Sequence, residues 1–322
     1  SSPVLLENLA FENYAVNIPE FVNLGEHSWE KMVDEFSQQA HYYFTIGRSN
    51  MGEKKLKEAL EAFDRAIALD PTYAKSYVFK GHIYFANDQL EPAYEAYRNA
   101  AEYIIDDAEL YQNLGTTCYK LQKYDQAIAA FNCSLELVPE NAEAFLGRAL
   151  AYAKSDNLQA AMRDFDRALQ CDPESARVYH ERGVCLAILG EWQRAIEDLR
   201  RAARLNPNNA NTFEKLGSCY YKVQHFQQAI EAYTSAIHVQ GNDYKLYEYR
   251  GDSHYKMNHL REALADYSAA IEVQPRAGTS YYRRGVVNIQ LGDKSAGCND
   301  LLMAQQLGIR EANGMLEKHC NP

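Results

Sequence analysis

The sequence predicts an all-α solenoid of about eight helix-turn-helix units, and three observations carry that prediction. Ala59, Ala93, Ala127, Ala161, Ala195, Ala229 and Ala263 recur every 34 residues without an insertion, and the next step falls on Gly297. Twelve residues before each stands a second ladder of Gly47, Gly81, Gly115, Ala149, Gly183, Gly217, Gly251 and Gly285. Four residues after each Ala the side chain is bulky (Phe63, Tyr97, Phe131, Phe165, Leu199, Tyr233, Tyr267, Leu301), and three further on it is small again (Ala66, Ala100, Ser134, Ala168, Ala202, Ala236, Ala270, Ala304).

Spacings of three and four put these residues on one stripe of a helix. Small side chains on the stripe admit a neighbouring helix, and the bulky one fills the space between layers. Pro71, Pro139, Pro173, Pro207 and Pro275 close most units, because a prolyl ring cannot continue the helical hydrogen-bond ladder. A lone helical hairpin cannot bury both faces, so the copies are expected to stack into one quasi-one-dimensional core. On this reading the length prior of about two domains gives way to one.

The ends differ from the middle. Trp29, Met32, Val33, Phe36, Ala40, Tyr43, Phe44 and Gly47 keep a helical period, which predicts a long helix from about Ser28 to Asn50, with Ser28 as its N-cap and its first half capping the stack. Residues 1–27 combine acids with Val4, Leu5, Leu6, Leu9, Phe11, Tyr14, Ile18 and Phe21, a composition suited to docking rather than to a solvated tail. They are expected to wrap over the first repeats, or to occupy a groove or a partner. Gly308-Ile309-Arg310-Glu311-Ala312 opens a last helix reaching about His319.

The ladders resemble the tetratricopeptide repeat (TPR), in eight tandem copies over about residues 40–309. Residues 1–39 then form the leader and the start of the capping helix, and residues 310–322 the C-terminal cap. The resemblance implies a right-handed superhelix whose first helices line a concave, peptide-binding groove. Leu291-Gly292-Asp293-Lys294 through Cys320 also resembles the terminal repeat of exported bacterial TPR proteins. Counting outward from the turn at Gly308, Cys298 and Cys320 lie 10 and 12 residues away on antiparallel helices, close enough in height for a candidate disulfide. A bond there would imply an oxidising compartment, whereas Cys118, Cys185 and Cys219 fall on core positions where a free Cys is a small hydrophobe.

Composition narrows the function. A net charge of -11 argues against a nucleic-acid partner. Residues 1–40 hold seven acids (Glu7, Glu12, Glu20, Glu26, Glu30, Asp34, Glu35) against Lys31 alone. No run is long and apolar enough for a membrane span, and no signal peptide is visible. A first residue other than Met suggests a trimmed product, and an exported or periplasmic place, or one on a bacterial envelope, is favoured over the cytoplasm. No nucleotide loop, nucleophile elbow or zincin motif occurs. His254 and His259, five apart, do not share a helix face, so no metal site is expected. The sequon Asn132-Cys133-Ser134 has Ser134 on a core ladder and reads as coincidence. The chain is therefore expected to be no enzyme and to need no cofactor.

Within the groove that the resemblance implies, Phe44, Val78, Gln112, Leu146, His180, Glu214, Glu248 and Tyr282 stand three before the ladder glycines, and Arg48, His82, Thr116, Leu150, Val184, Ser218, Asp252 and Val286 one after. The Lys and Asn with which chaperone-binding relatives clamp a terminal carboxylate are missing from these rows, so no chaperone-tail binding is expected. Four after come Met51, Phe85, Tyr119, Tyr221, Tyr255 and Ile289 among others; five after come Lys120, Lys154, Lys222 and Lys256, interrupted by Ile188. Those lysines either complement the negative ends of their helices or form a basic stripe. With Tyr249 and Tyr282 beside it, such a stripe suits an extended partner segment carrying acidic and apolar residues. The leader has that chemistry, so self-association through residues 1–27 is a further expectation. The expected role is an interaction scaffold or assembly adaptor. The alternative is a structural subunit of a cell-envelope assembly, held by its convex face and leader.

The chain has 24 Tyr and only 2 Trp. Tyr43, Tyr77, Tyr111, Tyr179, Tyr247 and Tyr281 share one row four before the ladder glycines and belong to the architecture. Tyr119, Tyr221, Tyr249, Tyr255 and Tyr282 are expected to face the groove, free of the stack.

Overall fold

The computed structural model of the chain describes residues 26–320, with 17 helices and no strand among them. Residues 1–25, which hold nearly all of the leader, lie outside the described residues. The repeat phase is unbroken along the sequence, yet the chain gathers into two compact units, Ser1–Pro139 and Glu140–Pro322. Each is a stack of antiparallel helical hairpins, and the fold is an all-α solenoid.

The first unit contains α1 (Glu26–Gly52), α2 (Leu56–Leu69), α3 (Ala74–Ala86), α4 (Leu90–Ala101), α5 (Ala108–Lys120) and α6 (Tyr124–Leu137). Helix α1 begins at Glu26, so Ser28 lies inside the helix and is not its N-cap. The second unit runs through α7 (Ala142–Lys154), α8 (Leu158–Cys171), α9 (Ala176–Ile188), α10 (Trp192–Leu205), α11 (Ala210–Lys222), α12 (Phe226–Val239), α13 (Tyr244–Lys256), α14 (Leu260–Val273), α15 (Gly278–Gln290), α16 (Lys294–Gln306) and the cap α17 (Glu311–His319).

The ladders meet inside each hairpin. Ala59, Phe63, Ala93 and Phe165 are fully buried, and Tyr97 is 1% exposed. The bulky residue of the second helix lies flat against the ladder glycine of the first: a Cβ on Gly81 would fall 2.5 Å from Cε1 of Tyr97, and one on Gly47 would fall 2.5 Å from Cε1 of Phe63. Each hairpin also turns through a residue of positive φ, at Lys54, Asp88, Gln122, Asp156, Gly190, Gln224, Asn258 and Gly292. This row at intervals of 34 holds glycine only twice. The turn is closed at the other six by a hydrogen bond from the N–H of the left-handed residue to the carbonyl three residues earlier, at Met51, Phe85, Tyr119, Ala153, Tyr221 and Tyr255.

A row of ion pairs reinforces the second unit. Arg148, Arg182, Arg250 and Arg284, each one before the ladder, reach Asp164, Asp198, Asp266 and Asp300 on the second helix of the same hairpin. The pairs are bidentate: in Arg182 both Nε and Nη2 donate over 2.7 Å. The aspartates are buried and the arginines continue over Tyr179, Tyr247 and Tyr281 rings at 5.6 to 5.8 Å. In the remaining hairpin of this unit the two positions are Leu216 and Ala232, both buried against Leu199 and Cys219 in one cluster. The pair is thus either fully ionic or fully apolar, as expected when half of a buried pair would strand the other charge.

At the C-terminal end Ala312 and Leu316 of α17 pack on Leu301 and Ala304 of α16. Cys298 and Cys320 are joined by a disulfide with Cα atoms 5.7 Å apart.

Two outcomes follow from this packing. Gly81→Ala overpacks the Tyr97 contact and lowers stability by about 1 to 3 kcal/mol in chemical unfolding. Arg250→Leu costs about 2 kcal/mol or more because Asp266 is left buried and unpaired, whereas Arg250→Leu with Asp266→Ala regains most of the loss in a double-mutant cycle.

Candidate functional site

The residues expected to line the groove separate into three groups. Phe44 is a correction: it is 5% exposed and its ring packs 5.3 Å from Tyr73, 5.3 Å from Phe79 and 5.8 Å from Phe63. In the first hairpin the position three before the ladder is filled by an aromatic that the next hairpin covers. Arg48 stays exposed, with its guanidinium 5.9 Å from the Phe44 ring and 5.8 Å from Phe79.

The tyrosines are the second group. Tyr119, Tyr221, Tyr249, Tyr255 and Tyr282 are all half-buried, and they are tied to the stack rather than free of it. Tyr119 lies 5.9 Å from Tyr124, Tyr221 5.3 Å edge-on to Phe226, and Tyr249 5.6 Å from Tyr233. The hydroxyl of Tyr255 accepts a hydrogen bond from Gln290 Nε2 at 2.7 Å, and Tyr282 packs on the Leu301–Leu316 cluster. Each offers only an edge or a face.

The lysines are the third. Lys120, Lys154, Lys222 and Lys256 are the last residues of α5, α7, α11 and α13, and all four are exposed. Lys120 holds its ammonium 4.5 Å over the Phe85 ring. Lys154, Lys222 and Lys256 have no carboxylate partner among the described residues, and Ile188, at the same place on α9, is 69% exposed.

Sequence reasoning missed a buried polar network in the second unit. Glu248, 6% exposed, accepts from Thr279 Oγ1 at 2.6 Å and Ser280 Oγ at 2.5 Å. Arg283 bridges Glu248 at 3.2 Å and Asp252 at 3.1 Å, and the Tyr267 hydroxyl donates to Asp252 at 2.8 Å. Burial raises the Asp252 carboxyl above the usual range, against the opposing pull of Arg283 and Tyr267. At the equivalent place two hairpins earlier His180 Nδ1 meets Thr212 Oγ1 at 3.0 Å. At His180 and Glu248 the polar residue three before the ladder thus locks onto the next hairpin, whereas Glu214 pairs with Lys215 on its own helix. The pattern would have been visible as a hydroxyl residue 32 positions beyond both His180 and Glu248, at Thr212 and Ser280, preceded by Asn211 and Thr279.

Val78 and His82 line a cleft of about 970 Å3 in the first unit. Its floor is Val78, Phe79, Ile104, Leu110, Leu137 and Val138. It exists because α4 stops at Ala101, two residues short of the matching position in α2, where Leu69 ends the helix. The connection that follows has Ile105 in the place other units give to Pro; Ile105 is 74% exposed and Ile104 turns into the cleft. Burial pushes His82 below its ordinary value, partly offset by Glu109 and Asp107.

The thiols of Cys118, Cys185 and Cys219 are each pushed up to about 11 by burial. His254 and His259 have ring centroids 5.8 Å apart, and no cluster of metal-ligating side chains occurs among the described residues. No described helix is long and apolar enough to cross a membrane. Ser134 of the sequon is fully buried and donates to Ala108 O at 2.9 Å.

Family models for the tetratricopeptide repeat match residues 40–73, 74–104, 113–176, 151–214 and 249–297. The chain belongs to the tetratricopeptide-repeat family, whose members serve in general as protein-interaction scaffolds. No curated protein matches it. Among solved structures it is similar to the C-terminal part of a TPR repeat-containing protein from Cytophaga hutchinsonii, with 17% identity, 73% of this chain and 97% of that chain covered, and a TM-score of 0.63. It is also similar to PilF of Pseudomonas aeruginosa, with 20% identity, coverage of 66% and 97%, and a TM-score of 0.55. YrrB, described as a TPR protein with an unusual peptide-binding site, shares 23% identity over 58% of this chain and 97% of that one, at a TM-score of 0.52. These likenesses speak for the fold.

His180 provides a pH readout of the polar locks. Burial lowers its pKa from 6.5, so the folded state binds the proton less readily than the unfolded chain does. Its contribution is complete above pH 6.5 and is lost as the pH falls through the lower folded value. Urea midpoints that fall from neutral toward mildly acidic pH, with a shallower fall in His180→Asn, are the expected outcome.

Proposed function

We propose that the chain is a non-catalytic scaffold whose second unit holds an extended protein segment of acidic and apolar residues along the ends of its first helices. The observation that carries this reading is the row of Lys154, Lys222 and Lys256, exposed and with no salt-bridged carboxylate among the described residues, with Ile188 exposed among them on the same row. A helix-end lysine gains typically about 0.3 to 1 kcal/mol from the dipole, which accounts for Lys at a helix end but not for an exposed isoleucine between two of them. Three cations flanking an apolar anchor match a partner that alternates carboxylates with apolar side chains. The half-buried tyrosines beside the row add rigid aromatic surface with little rotamer entropy to lose. YrrB is a TPR protein described by a peptide-binding site, which supports a peptide ligand by analogy of fold alone.

A peptide of alternating Glu and Leu serves as the probe. Lys154→Glu, Lys222→Glu and Lys256→Glu together are expected to weaken its binding by about a hundredfold, since each lost pair is worth about 1 kcal/mol in a partly shielded site. Fluorescence anisotropy reads this, and unchanged affinity in the triple variant sinks the proposal.

A further inference from the structure

The first unit carries a site of opposite preference. We infer that the cleft between α3 and α5 binds an extended protein segment that places an apolar side chain on the cleft floor and a Lys or Arg at its rim. This rests on the reading of the chain as a protein-binding scaffold, but not on the lysine row.

The floor is apolar and already formed. Val78 and Phe79 come from α3, Leu110 from α5, Ile104 from the connection and Leu137 with Val138 from the end of α6. Leu137 and Val138 are 38% and 45% exposed, so they add accessible apolar surface beside the floor. The volume of about 970 Å3 is enough for several side chains of an extended segment.

The rim sets the charge. Asp106, Asp107 and Glu109, from the connection and the start of α5, line it together with Lys75 of α3. Asp107 is engaged at home, since its Oδ1 accepts from the N–H groups of Glu109 and Leu110 at 3.0 Å. Asp106 and Glu109 are exposed and have no ion-pair partner among the described residues. His82, held below its ordinary pKa by burial, adds no full positive charge at neutral pH. The rim is therefore net negative beside an apolar floor. A carboxylate-bearing segment would be repelled there, and a segment with a cation next to an apolar residue would satisfy both features.

The probe is a peptide of alternating Lys and Leu, tested on the full chain by fluorescence anisotropy. Because the chain is acidic overall, non-specific attraction must be separated from binding in the cleft. Asp106→Lys with Glu109→Lys is compared with Glu197→Lys plus Glu272→Lys, which changes net charge equally at exposed positions of the second unit. The cleft variant is expected to weaken the Lys–Leu peptide by about tenfold or more, and the control by about twofold at most through long-range charge. Asp106→Asn with Glu109→Gln gives an intermediate loss, and far-ultraviolet circular dichroism checks that each variant folds. The Glu–Leu peptide should bind both cleft variants as it binds the parent chain. Equal losses in cleft and control variants, no loss in the cleft variants, or no binding of the Lys–Leu peptide to the parent chain each overturn the proposal. None of these results touches the lysine row, whose failure appears only with the Glu–Leu peptide.

Discussion

One contact sets the geometry of seven of the eight hairpins: a bulky side chain from the second helix occupies the notch left by a missing Cβ on the first. Tyr97 over Gly81 and Phe63 over Gly47 leave no room for a methyl group. The helices approach closely because the first presents bare backbone, and the ring that fills the notch is fully desolvated. The small residues on either side of the ring bury against the same neighbour. At the fourth step the ladder carries Ala149, and both Ala149 and Phe165 are fully buried, so this hairpin admits one methyl where the others have none. Because that contact recurs with one spacing, what is attached to it can recur as well: the turn of positive φ in every hairpin, the helix-end lysine in four, and the lock onto the following hairpin at His180 and Glu248.

This is why the fold was legible. A packing rule repeated eight times writes itself into the sequence as ladders, and Ala59, Gly47 and Phe63 can be read without knowing what they touch. The groove was less legible. Phe44 has the right register for a groove residue but sits at the first step, where aromatic neighbours at Tyr73 and Phe79 enclose it. Register alone points the tyrosines into the groove, whereas Tyr221 and Tyr249 are half-buried with their rings against Phe226 and Tyr233. Register says which way a side chain starts out, and the neighbouring hairpin decides how much of it stays visible.

The cleft was hidden for a different reason. It arises from a departure from the repeat, the early end of α4 and the Ile-Ile connection after it. A reading built on regularity passes over the place where regularity fails. The absence of proline at position 105 was the available signal, and its consequence could be seen only once the freed isoleucines had somewhere to go. The same holds for Arg283, whose role depends on two carboxylates from the preceding hairpin meeting it below the surface.

The ion pairs between the two helices of a hairpin bear on the order in which such a structure can change. Asp266 keeps only 7% of its side chain exposed while Arg250 keeps 21%, so the two partners are not equivalent. Losing the acid first leaves a long cation that can turn toward water or another carboxylate; losing the cation first leaves a short anion walled in. The first unit holds the tolerable half-state: Lys80 stands where the arginines stand, Ala96 stands where the aspartates stand, and the lysine turns back to Asp64 on the preceding hairpin. Leu216 with Ala232 is the state in which both charges have gone. One chain thus displays the start, the passable middle and the end of a route between ionic and apolar hairpins, and the route runs through loss of the acid.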